Sequence, residues 1–170
     1  MGKRQRGFTF IELVIAMAVL LVGVVAVMQL VPAAMQSNLY NRYDSTAVVT
    51  AQRELDQMIT QPLASTQFND ADGRVILLGN SATPNVVVGG PVQTVGNTAR
   101  IDFTSAAVAN YNYTYRDPND PGRSAYEVRW AVITTVSGTA VVAKRFLVGV
   151  WRRNATQVMP PVTIEAWVQR

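Results

Sequence analysis

Glu12 is the one charged residue in an apolar stretch that runs from Phe8 to Val31. A carboxylate at the centre of a bilayer costs about 3 kcal/mol on insertion scales. Glu12 stands at the start of its stretch rather than the middle, six residues after Arg6, the last of the basic residues Lys3, Arg4 and Arg6. A carboxylate so placed can snorkel to the interface, and otherwise stands there as an expense.

Other chemistry is scarce. The chain has no cysteine and no histidine, which excludes disulfides, thiolate and imidazole metal ligands, thiol nucleophiles and the commonest catalytic base. Residues 69–74, "NDADGR", have the acid-x-acid-Gly outline of a calcium loop. They lack the later ligands and closing glutamate of an EF-hand, so a polar turn is the better reading. Asp117, Asn119 and Asp120 in "DPNDPG" offer oxygen ligands for calcium, although two prolines and a glycine explain that loop without an ion. Lys144 lies in an expected strand and suggests no buried catalytic amine. Trp130, Trp151 and Trp167 also lie in expected strands and read as core. No catalytic constellation emerges, so the expectation is a non-enzymatic protein without a cofactor or small-molecule substrate.

The elements that position Glu12 follow from hydropathy and periodicity. The apolar segment spans 24 residues, about 36 Å of helix, enough to cross a bilayer. The basic head before it predicts a cytoplasmic N-terminus. Beyond Val31 the helical pattern continues: Tyr40, Tyr43, Ala47, Ala51, Leu55 and Met58 recur every three or four residues and form one stripe. Pro32 is placed to kink this helix and Pro62 to end it. Short β-rich runs follow: "RVILLG", "NVVVGG", "ARIDF" and "YNYTY" are weak strands. "AYEVRWAVITTV" and "TAVVAKRFLVGVW" around Ser137-Gly138 read as a hairpin, and "PVTIEAWVQR" as a last strand. The fold class is α+β, a long N-terminal helix laid on an antiparallel sheet. Its segments are a basic head 1–7, an apolar helix 8–31, an amphipathic continuation 32–61 and a β-rich domain 62–170.

The net charge of +4 owes three of its 15 basic residues to the head, and the remainder is nearly balanced. Such a mild tilt does not argue for nucleic acid. Two ordinary readings of the N-terminus compete. A signal peptide is consistent with the small-residue pattern around Val31-Pro32-Ala33, but the apolar run is too long for one. A single-span anchor of an extracytoplasmic binding domain explains the length and leaves Glu12 as an expense.

"RQRGFTFIELVIA" resembles the N-terminus of type IV pilins and of the pseudopilins of type II secretion. The resemblance is strong over about 25 residues, and the β-rich remainder agrees in architecture only. It implies that a prepilin peptidase cuts between Gly7 and Phe8 and that Phe8 is then N-methylated. It also implies that Glu12, the fifth residue counted from Phe8, pairs with the Phe8 amine of a neighbouring subunit. At about 4 Å and an effective dielectric of 20, such a pair gains roughly 4 kcal/mol, comparable with the cost of inserting the carboxylate. The implied partners are the peptidase, other pilin or pseudopilin subunits and an inner-membrane assembly platform. The implied location is the bacterial inner membrane, then a pilus or periplasmic pseudopilus. The chain departs from the family pattern at Pro32, three residues beyond the helix-breaking proline of many pilins. It also lacks the cysteines that pin the C-terminal loop of many major pilins. That lack favours a minor pilin or a pseudopilin, and "LLVGVVAV" with the strands "YEVRWAV" and "FLVGVWRR" resembles V-type minor pilins and I-type minor pseudopilins, the V-type being preferred. Calcium-binding loops in some major pseudopilins keep Asp117, Asn119 and Asp120 as candidate ligands.

Overall fold

The computed structural model describes residues 9–120, 124–153 and 160–169. One helix, α1 (Phe10–Ile59), is followed by nine strands: β1 (Gln67–Asn69), β2 (Val75–Leu77), β3 (Val87–Gly89), β4 (Val92–Val95), β5 (Thr98–Ile101), β6 (Asn112–Arg116), β7 (Ala125–Ser137), β8 (Ala140–Arg153) and β9 (Val162–Gln169). The α+β expectation holds. Pro32 lies inside α1 and does not end it. Where the helix does end, the Thr60 hydroxyl and the Gln61 amide both donate to the Gln57 carbonyl. These side chains satisfy a carbonyl that the helix itself leaves without a partner.

The chain divides into two compact units, Met1–Arg42 and Tyr43–Arg170. In the first, the described large apolar side chains of α1 are exposed, Phe10 to 82% and Leu20 to 69%. Water is a poor environment for that surface. Covering each such side chain fully is worth about 1.5–3 kcal/mol.

The second unit is organised by the β7–β8 hairpin, in antiparallel register from Ala125↔Arg153 to Ser137↔Ala140 with one irregularity at Thr135/Val136. Gly138 opens its two-residue turn at φ 62°, a conformation that glycine takes without steric cost. β9 pairs with β8, while β3 and β6 pair with β7, all antiparallel. Alternation along the strands gives the sheet two faces. Tyr126, Val128, Trp130 and Val132, with Phe146, Val148 and Val150, form one core with Ala47, Ala51, Leu55 and Met58 of α1. The expected stripe is therefore buried from Ala47 to Met58, and Tyr43 packs at its edge.

On the opposite face Ala131 and Leu147 meet Ile101, with Val92, Ala99 and Phe103 beside them. The approach at Gly149 is so close that a Cβ there would lie 2.6 Å from the Ile101 Cβ. Arg129 fastens the intervening loop by donating to the carbonyls of Asp102 at 2.9 Å and Ser105 at 2.8 Å. Glu127, buried beside it, accepts from both Arg129 and Arg153. Burial alone would raise its carboxyl, but these two guanidinium groups outweigh burial and hold it below the usual range.

Two expectations need correction. Trp130 is core, its indole N–H donating to the Leu77 carbonyl at 2.9 Å, and Trp151 is half-buried near Phe103. Trp167, however, is 63% exposed. It lies opposite Arg145 in the β8–β9 register, and the guanidinium of Arg145 lies over its ring. Lys144 is not a surface residue of its strand either. It is buried on the helix-facing side, donates to the Ser65 carbonyl at 2.6 Å, and has its amine pushed down by that burial.

Candidate functional site

Thr9 lies just before the first turn of α1. Its hydroxyl oxygen accepts the Glu12 backbone N–H at 3.4 Å, a long bond, and its carbonyl accepts the Leu13 N–H at 3.2 Å. Thr9-x-x-Glu12 is thus the sequence of a capping box, in which the first residue bonds the backbone of the fourth. This local signal complements the counter-charge reading, because it gives Glu12 a place in the helix start irrespective of any partner. A carboxylate in the first turn is also favoured by the positive end of the helix dipole. Glu12 itself is exposed. Gly7 and Phe8, the expected cleavage and methylation positions, lie outside the described residues.

The arrangement is a charged collar on a greasy rod. From Leu13 to Val31 the large apolar side chains face outward, and α1 is long and apolar enough to cross a membrane. Such a surface is suited to lipid or to other apolar helices, and Glu12 marks one end of it.

Two of the calcium candidates, Asp117 and Asp120, accept backbone N–H groups. The Asp117 carboxylate accepts the Asn119 N–H at 2.8 Å. Asp120 is buried and accepts the Ser124 N–H at 3.0 Å. The first closes a turn, and among the described residues no group of three or more acidic side chains could hold a metal ion. Of residues 69–74, Asn69 ends β1 and residues 70–74 form the β1–β2 turn, as expected. Asp70 Oδ1 accepts the N–H groups of Asp72 and Arg74, and its Oδ2 pairs with Arg74 at 2.9 Å.

Glu54 is the charged residue that sequence reasoning missed. It lies in the helix face against the sheet, 1% exposed, and hydrogen-bonds the Tyr113 side chain. Its Oε2 has no hydrogen-bond partner among the described residues. Burial pushes its carboxyl up, with Asp70 adding to the effect, while Tyr113, Arg74 and Arg53 offset part of it. The available signal was its spacing: Glu54 follows Ala47 by seven residues and Ala51 by three, on the same helical face.

Residues 2–28 match one family model, the prokaryotic N-terminal methylation motif. No curated protein and no solved structure matches the chain.

Proposed function

Proceeding from the methylation motif, the N-terminal signature of type IV pilins and pseudopilins, we propose that this chain is a minor subunit of a type IV pilus-like filament. The signature indicates a structural subunit that is processed by a prepilin peptidase and joins other subunits. The carrying observation is the coincidence of that motif with a helix whose apolar surface is exposed along its first half. In the proposed cycle the subunit waits in the inner membrane with its N-terminus in the cytoplasm. The peptidase cuts before Phe8, and the new amine is methylated. Residues 13–31 then pass from lipid into the filament core without meeting water, and Glu12 pairs with the Phe8 amine of a neighbour. A contact of this head-to-tail kind does not close on itself and so propagates as a helical filament. The lack of cysteine favours a minor subunit over a disulfide-pinned major one. No cofactor is needed at any step.

Mass spectrometry of the protein from its native host tests the first step. The expected N-terminus is methylated Phe8, and replacing Gly7 with a bulkier residue should leave the head attached while insertion proceeds. An N-terminus at Ala34 would establish a secretory signal instead, and an intact Met1 a simple anchor.

A further inference from the structure

A polar groove of about 390 Å³ opens on the Tyr43–Arg170 unit, lined chiefly by Arg53 of α1, Asp72 and Arg74 of the β1–β2 turn, and Thr114, Tyr115 and Arg116 of β6. Its three guanidinium groups are not equivalent. Arg74 is fixed on two sides, by Asp70 and Asp72, and lies over the Tyr113 ring at 4.1 Å. Arg53 reaches the same Asp72 Oδ2 at 3.5 Å, longer than the 2.7–2.9 Å of a charge-assisted hydrogen bond. Arg116 is exposed and makes no ion pair among the described residues. Asp72, itself 45% exposed at its side chain, therefore acts as an internal carboxylate that engages one guanidinium firmly and a second loosely. The third is left over.

We propose that this groove binds an acidic side chain presented by a neighbouring subunit, seated on Arg53 and Arg116 in competition with Asp72. Charge selects the ligand class. Asp70 and Asp72 engage Arg74 and, loosely, Arg53, and the buried Glu54 interacts with both arginines as well, leaving Arg116 as the one lining cation without an ion pair among the described residues. That matches a single carboxylate better than a phosphate dianion or a polyanion. Arginine suits the role because its planar fork meets both carboxylate oxygens. Thr114 adds a hydroxyl to the same wall. The choice of a subunit as partner rests on the filament reading; the anion site does not.

The test uses the full chain in detergent micelles and follows the arginine Nε–H signals by NMR. The probes are acetyl-Ala-Asp-Ala-Glu-Ala-amide, its Asn/Gln counterpart and inorganic phosphate. The acidic peptide is expected to give saturable shifts at Arg53 and Arg116, weakened by added salt, and the amide peptide none. Arg116→Gln should weaken binding at least fivefold with an unchanged melting temperature, because that side chain carries no ion pair among the described residues. Asp72→Asn should tighten it at least threefold by removing the competitor. The proposal is overturned if the acidic peptide does not saturate, if the amide peptide or phosphate binds equally well, or if Arg116→Gln has no effect. Weaker binding by Asp72→Asn would likewise overturn the competition with Asp72. Binding is measured without assembly, so failure here leaves the filament reading standing. Failure of the Phe8 or Glu12 experiments leaves the groove standing.

Discussion

At Glu12 two physical roles overlap, and a pair of substitutions separates them. As the fourth residue of a Thr9-x-x-Glu12 box, it can be replaced by Gln with the local geometry kept, since both residues serve at that position. As a counter-charge it cannot. If capping is its role, Glu12→Gln should enter filaments normally and Glu12→Ala should be impaired. The expected outcome is that both are cleaved normally and both lose incorporation, tenfold or more, because the attraction at stake is about 4 kcal/mol. Near-normal incorporation of Glu12→Gln would remove the counter-charge role. Glu54 offers a second charge experiment, with the opposite local logic. Its folded-state carboxyl is raised above the ordinary 4.5, so the native state binds its proton more tightly than the unfolded chain does. Stability should then decline as pH rises from about 4.5 through the folded value, and stay reduced above it. Glu127 is lowered, so its contribution is present above about 4.5 and is lost as pH falls through its folded value. The two windows do not overlap. Glu54→Gln should abolish the decline above 4.5 and leave the acid limb unchanged in melting temperatures recorded from pH 3 to 8. A decline that survives the substitution would mean that other groups cause it.

Among the elements, length and pattern decided what could be read from the chain. β7 and β8 run for 13 and 14 residues, long enough for alternation to identify them. β1 and β4 have three and four residues and exist because β2 and β5 pair with them across short turns, a cause that periodicity within one strand does not carry. The buried stripe of α1 was legible because small and apolar residues recur at helical spacing. Glu54 was not, because a glutamate on a helix is ordinarily solvated and its burial is offset by Tyr113 of β6 together with Arg74 and Arg53. Glu12 was legible at once, as a charge in an apolar run. The arginine groove was not, since Arg53, Arg74 and Arg116 are far apart in the chain. Gly149 gives the element scale its prediction. Added volume there strikes Ile101, with a Cβ-to-Cβ separation of 2.6 Å, so the β4–β5 hairpin must shift or the strand must bend. Gly149→Ala is expected to cost about 1–3 kcal/mol, the usual range for overpacking, read as a lowered denaturation midpoint with an unchanged slope. An undiminished midpoint would show that the hairpin yields freely and that the second core adds little to stability.

For the whole molecule, the division of the chain at Arg42 and Tyr43 coincides with a change of solvent requirement. Large apolar side chains are exposed throughout the Leu13 to Val31 stretch, and no described residue of that unit covers them. In the other unit Ala47, Ala51, Leu55 and Met58 of the helix are buried in one core with side chains of β7 and β8. A chain beginning at Gln36 keeps Tyr43 and the buried stripe while discarding the greasy segment. It is expected to be a soluble monomer with mixed helix and strand signal by circular dichroism and a single unfolding transition. Cutting instead at Pro62 removes Ala47, Ala51, Leu55 and Met58 together. Loss of a buried Met or Leu side chain alone costs about 2–5 kcal/mol, and whole-domain stability is about 5–15 kcal/mol, so this shorter chain should not fold. The comparison isolates the helix half that belongs to the globular unit. If both chains fold with equal midpoints, the packing of α1 on the sheet contributes nothing. If the chain from Gln36 aggregates, the apolar segment is required for folding as well as for assembly.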